Sequence, residues 1–191
     1  MTIFYKLDTK LYVNITNSCP CSCTFCIRNS YSGVGDAMSL WLERDPTLAE
    51  IAASFEAQDL TDMDEIVFCG YGEPLTRVSE IPAIIDIIRK TSPLPLRLNT
   101  NGLYALDGTT LSAFDTISVS LNADDADEYV RLVQPDSGIK AYAIMLDFIK
   151  KAKQHTTVIA TVVDCLAQER IENCRTIAEE LGVQFRVRTL Q

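Results

Sequence analysis

Basic charge is scarce in this chain. Its 17 Lys and Arg face 26 Asp and Glu, giving a formal net charge of −9. An extended basic footprint for nucleic acid or anionic lipid is therefore absent, and neither nucleic acid nor membrane is expected as a partner. Long apolar runs are missing too: none reaches the ~18–20 residues that span a bilayer. The N-terminus, MTIFYKLDTK, has no basic segment followed by an apolar stretch, so no secretory signal is visible. The cytoplasm is the expected compartment, where thiols stay reduced and clustered cysteines more often bind metal or do chemistry. No repeats, low-complexity tracts or Gly/Ser linkers divide the chain. Its single histidine, His155, precedes a predicted strand, on the side away from the strand C-termini, and is assigned no catalytic role.

What is present is an alternation. The 191 residues suit one domain, 1–191, with an ordinary 47% apolar content. Runs rich in β-branched and aromatic residues predict strands at Leu11–Thr16, Glu65–Cys69, Leu96–Asn99, Thr116–Leu121, Thr157–Val163 and Val183–Arg188. Residues 2–16 can add a hairpin turning at Asp8-Thr9. Apolar residues at i, i+3, i+4, i+7 predict helices between the strands: Leu48/Ile51/Ala52/Phe55, Ile81/Ile84/Ile85/Ile88 and Tyr142/Met145/Leu146/Ile149. A fourth stripe, Ile171/Cys174/Ala178/Leu181, ends at Gly182 as a C-terminal cap. Asp45-Pro46 reads as the N-cap and first position of the first helix. Six β/α units are too few for an eight-fold barrel. A partial (β/α)6 barrel or a doubly wound α/β sheet remains, and both collect ligands at strand C-termini.

The first such end carries NSCPCSCTFCIRN, residues 17–29, with four of the chain's seven cysteines. An odd count suits a disulfide framework poorly. Zinc usually takes four ligands, often in two separated pairs; adding Cys21 as the fourth on one loop would be strained. Cys19, Cys23 and Cys26 have C-x3-C-x2-C spacing. Three thiolates on one loop can ligate three irons of a cubane and leave one iron open. Cys21 then reads as a packed thiol. Cys69 and Cys165 lie near strand ends and read as small buried hydrophobes or as thiols that face substrate, and Cys174, on a helix stripe, reads as core.

That spacing, with Phe25 before the last cysteine, resembles the radical S-adenosyl-L-methionine (SAM) enzymes. The resemblance implies a partial (β/α)6 TIM-like barrel and a [4Fe-4S] cluster on Cys19, Cys23 and Cys26 whose open iron chelates SAM. It implies reductive cleavage of SAM to a 5′-deoxyadenosyl radical that abstracts hydrogen from a substrate, and a one-electron donor such as flavodoxin or ferredoxin. Gly70-Tyr71-Gly72-Glu73-Pro74 is similar to the family's glycine-glutamate motif, so Gly70, Gly72 and Glu73 are expected at the methionine ammonium. Asn99 of LNTNG, and Ser120 and Asn122 of SVSLNA, match the positions that hold ribose and carboxylate. Residues beside Phe25, Val163 and Leu190 would border adenine. CPCSCTFCIR, SLWL (39–42) and DPT (45–47) look most like the small TatD-associated radical SAM proteins, a name that implies a genomic neighbour rather than a substrate. Two other roles stay open: a glycyl-radical activase acting on a protein, and a cluster-bearing electron carrier or sensor.

Strand alternation adds one expectation. Arg97, Arg186 and Arg188 fall on the polar faces that turn into the barrel. A buried guanidinium needs a partner. Internal carboxylates or the anionic group of a small-molecule substrate would supply it. Trp41, in the 27–46 loop, reads as packing.

Overall fold

The computed structural model describes residues 1–189. β1 (Phe4–Leu7) and β2 (Lys10–Val13) form an antiparallel hairpin, with Asp8 at a φ of 52° in the turn. Then come β3 (Glu65–Phe68), β4 (Leu96–Thr100), β5 (Thr116–Ser120), β6 (Thr157–Val163) and β7 (Gln184–Arg188), each parallel to the strand before it. The seven strands lie side by side in chain order, with β1 and β7 at the edges. A doubly wound sheet reverses its order part-way. Unbroken chain order is instead barrel winding, so the six parallel strands form the partial (β/α)6 barrel.

The crossovers carry α1 (Leu48–Glu56), α2 (Ile81–Arg89), α3 (Gly108–Ser112), α4 (Ala126–Val133), α5 (Lys140–Ala152) and α6 (Gln168–Glu180). The first helix does not start where Asp45-Pro46 predicts. Its N-cap is Thr47, and Thr47 and Glu50 close a capping box. Two reciprocal hydrogen bonds satisfy more orphan amides than Asp45 could reach from two residues earlier. On α5 the buried face is also shifted: Tyr142 and Leu146 are half-buried, while Ala141, Phe148 and Ala152 join Met145 and Ile149 inside. The α2 stripe holds, with Ile81, Ile84, Ile85 and Ile88 all buried. Gly182 follows α6 with a φ of 65°, a conformation that only glycine adopts cheaply.

These helices cover one face of the sheet. Leu11, Val13 and Ile15, Ile66 and Phe68, Leu96 and Leu98, and Ile117, Val119 and Leu121 pack against them in one apolar cluster. The alternate residues therefore face the barrel interior. A smaller cluster sits inside: Tyr5 and Tyr12, stacked at 4.9 Å, lie under Leu40 and Tyr71. The long loop after the cysteines makes this cover. Asn14 Nδ2 donates to the Leu40 carbonyl at 2.8 Å, and Asn17 accepts from Leu42 N at 3.0 Å and donates to the Leu42 carbonyl at 2.7 Å. Trp41 rides above, edge-on to Tyr71 at 5.1 Å and 46% exposed, so it packs on one face only.

Candidate active site

The cysteine loop leaves β2 and is pinned to the end of α4. Ser22 N donates to the Val133 carbonyl at 3.2 Å, Thr24 N to Leu132 at 2.9 Å, and Asp136 N to Pro20 at 2.9 Å. Arg28 reaches back to the Cys21 carbonyl at 3.2 Å. Cys26 N donates to the Cys23 carbonyl at 3.1 Å, closing the x2 gap into one turn. All seven cysteines are free thiols. Cys19, Cys23 and Cys26 are half-buried and line a cavity of about 560 Å³ at the strand C-termini. Cys21 is 3% exposed and takes a hydrogen bond from Asn101 Nδ2 at 3.6 Å.

The thiols differ in acidity. A hydrogen bond from Cys21 lowers Cys19 to about 6, with Arg28 contributing. Donating that bond, and burial, push Cys21 up. Cys23 is pushed up to about 12 by burial, and then by Cys26 and Cys19. Several thiolates crowded together need a cation, and a coordinating metal deprotonates thiols outright.

Next to the loop, GYGEP is folded tightly against the chain after β2. Gly72 N donates to the Thr16 carbonyl at 3.0 Å and Glu73 N to the Ser18 carbonyl at 2.8 Å. A Cβ on Gly70 would stand 2.1 Å from Asn14 Oδ1, and one on Gly72 2.4 Å from the Thr16 oxygen. Both glycines are thus required by packing alone. Glu73 is 5% exposed. Its carboxylate accepts from Leu75 N at 3.1 Å, Thr100 Oγ1 at 2.7 Å and Asn101 N at 2.8 Å, tying the second strand-end loop to the third. These donors favour the anion, yet burial outweighs them and raises its pKa to about 7. Among the described residues no Lys, Arg or His forms an ion pair with it.

Phe25, Gly70, Gly72, Asn99, Ser120, Asn122 and Val163 also line the cavity. Leu190 lies outside the described residues. Asn122 is buried at a φ of 55°, and its Oδ1 has no hydrogen-bond partner. Asn99 Oδ1 and the Tyr129 hydroxyl are likewise buried and unpartnered. Orphaned buried polar atoms around one cavity mark where a ligand would complete them. Sequence reasoning missed Tyr129, Thr100, Asn101, Tyr5 and Tyr12. Thr100 and Asn101 stood in the LNTNG segment; Tyr129 sits on α4 and carried no signal.

The arginines need correction. Arg97 is buried, at 8% exposed, and pairs with Glu65 at 3.0 Å. Arg186 and Arg188 line the cavity but are exposed, because β7 is an edge strand among the described residues. The expectation of three buried guanidiniums therefore fails for two. Glu65 was an overlooked inward acid. Val67 is in register with Arg97, and Glu65 lies two residues earlier on the same face.

The family model of the radical SAM superfamily matches residues 13–180. The chain belongs to the radical SAM superfamily. It is thus an enzyme of a family that generally binds a [4Fe-4S] cluster and SAM. In fold it is similar to an archaeal TYW1 seen in a crystal structure, with a TM-score of 0.54 and 13% identity over 96% of this chain. The match covers 66% of the TYW1 chain. No curated protein matches by sequence. Among the described residues no three His, Cys, Asp or Glu converge to hold a single ion. Thiolates that each bind a different iron of a cubane do not have to converge on one point. The radical SAM donor set therefore fits this loop: three half-buried thiols lining the cavity, a buried carboxylate lacking a cation among the described residues, and unpartnered amide oxygens.

Proposed function

We propose that Cys19, Cys23 and Cys26 hold a [4Fe-4S] cluster and that Glu73 accepts the methionine ammonium of SAM. Asn99, Ser120 and Asn122 hold its ribose and carboxylate, and Phe25 and Val163 border its adenine. The observation that carries this reading is the single cavity shared by three free thiols and a buried, cation-free Glu73. When bound, the cluster and SAM supply reductive cleavage of the sulfonium and hydrogen abstraction from a substrate. The chain's own part is positional. Hydrogen bonds from Thr100 and Asn101 aim the Glu73 carboxylate. The Cys loop, held by α4, keeps its thiols on the cavity wall. Leu40 and Tyr71 close the hairpin side against water. A small-molecule substrate in the cavity and an external one-electron donor such as flavodoxin or ferredoxin complete the reading. CPCSCTFCIR, SLWL and DPT support a place among the TatD-associated radical SAM proteins.

The test is iron content and EPR on reconstituted single variants, with SAM cleavage assayed beside them. Cys19→Ala, Cys23→Ala and Cys26→Ala should each lose the cluster and all SAM cleavage, and Cys21→Ala should keep both. The reverse pattern would overturn the assignment. SAM cleavage by the reduced protein also separates this reading from an electron carrier or sensor, which would leave SAM intact.

A further inference from the structure

Between β4 and β7 the cavity continues into a recess of about 40 Å³ lined by Arg97, Ser118, Ser120, Thr161, Arg186 and Arg188 among others. Two of its groups are buried donors without acceptors. Arg97 Nε and Ser118 Oγ have no hydrogen-bond partner, although their residues are only 8% and 7% exposed. Arg97 forms an ion pair with Glu65 at 3.0 Å, and that one carboxylate balances only the charge of Arg97. Arg186 and Arg188 stand at i and i+2 on β7, so both side chains leave the strand on one face. Among the described residues neither forms an ion pair. Among the described residues no acid lines the recess. Glu73 lines the larger cavity, but its oxygens already accept from Leu75, Thr100 and Asn101.

A chain of net charge −9 thus gathers two uncompensated guanidiniums and two orphan donors around one small recess. Guanidiniums present paired N–H groups that match an oxyanion, and a hydroxyl can donate the remaining bond. The recess opens toward the cysteines through the main cavity, and Arg97, Asn99, Ser120, Arg186 and Arg188 line both spaces. We infer that the substrate is an anionic small molecule whose carboxylate or phosphate sits in this recess, held by Arg186 and Arg188 over a floor of Arg97 and Ser118. The inference rests on the reading of the cavity as a SAM-dependent reaction chamber. The anion fixes one end of the substrate at β7, and the rest extends toward the thiols, past the aromatic wall of Tyr5 and Tyr12.

The experiment is calorimetric titration of the reconstituted, SAM-loaded holoenzyme with inorganic phosphate and with malonate, at fixed ionic strength. Saturable binding of one anion per chain is expected. Binding of phosphate alone assigns a phosphate ester, and binding of malonate alone a carboxylic acid. Arg186→Gln and Arg188→Gln should each weaken it about 10-fold, and the double variant about 100-fold. Arg188→Lys should retain most of the affinity, and Lys150→Gln, an exposed change on α5, all of it. Absence of saturable binding, or equal affinity in the arginine variants, overturns the inference and leaves water and solvent as the partners of these groups. If the variants lose SAM affinity together with the anion, the arginines serve SAM, and the inference falls while the cofactor site stands. A wild-type protein that takes up neither cluster nor SAM refutes the underlying reading instead.

Discussion

The two ends of the cavity are built on opposite principles. At the cysteine end the loops are tied to one another, and the Tyr129 hydroxyl and the Asn99 and Asn122 amide oxygens are the buried groups left open among the described residues. GYGEP is stitched to residues 16 and 18, the Cys loop to α4, and Glu73 to Thr100 and Asn101. At the β7 end the chain leaves groups open: Arg186 and Arg188 unpaired at an edge strand, Ser118 Oγ and Arg97 Nε buried without acceptors. The stitched end needs its loops rigid, because donors must stand still to hold a cofactor. An open end makes sense where the partner is a ligand that comes and goes. The difference teaches that rigidity and unsatisfied donors are separate signs of function, and that one cavity can carry both.

That contrast can be broken at Glu73, where the largest effect is expected. Glu73→Gln keeps the shape and removes the charge. Losing a charged hydrogen bond in a buried site should weaken SAM binding roughly 10–150-fold. The pH dependence has a definite sign. Burial raises the folded pKa of Glu73 to about 7 from an ordinary carboxylate value. The folded chain thus holds this proton more tightly than the unfolded one, so the contribution of Glu73 to stability is fully present below about 4.5 and is lost as pH climbs to about 7. SAM affinity should rise through the same window as the carboxylate ionises. Glu73→Gln should flatten both profiles, read by thermal melts and by calorimetry at stepped pH. Profiles unchanged by the substitution would mean that the cysteine end is not organised around this carboxylate.

A middle-sized effect is expected at the base of the open end. Glu65→Gln leaves Arg97 buried without a counter-charge, which should cost about 3 kcal/mol. For a chain of this size that is a fall of roughly 6–12 °C in Tm. A Tm within 1 °C or so of wild type would show that the pair is solvated and the recess floor is not pre-charged. The smallest effect is expected at His155, which meets Ser112 at 3.4 Å on the opposite end of the barrel. His155→Gln should leave SAM cleavage unchanged in the same assay. A loss of activity there would break the division of the molecule into a reacting end and a structural end.

Much of this was legible in the residues. Strand alternation separated the helix-facing apolar set from the inward polar set, because a sheet has a period of two and needs only one covered face. The cysteine spacing and GYGEP pointed to the site because both fall just after strands, where β/α folds collect ligands. Other features were hidden. Tyr129 reaches the cavity from α4, a helix for which no apolar stripe was read. Tyr5 and Tyr12 reach it through a hairpin whose inward face is closed by the loop bearing Leu40. The N-cap moved from Asp45 to Thr47 because Glu50 could answer Thr47 and nothing answered Asp45.

Local periodicity and spacing were enough for the strand order, four of the six helices, the inward face of each strand and the loop that carries the thiols. Only the tertiary structure decided the charge state of the interior. Whether an inward arginine is buried depends on how far the sheet curls and where it ends. Arg97 lies in mid-sheet, where Glu65 reaches it, and Arg186 and Arg188 lie on β7, an edge strand among the described residues. Burial and partner come from elements far apart in the chain, and no local pattern encodes the distance between them.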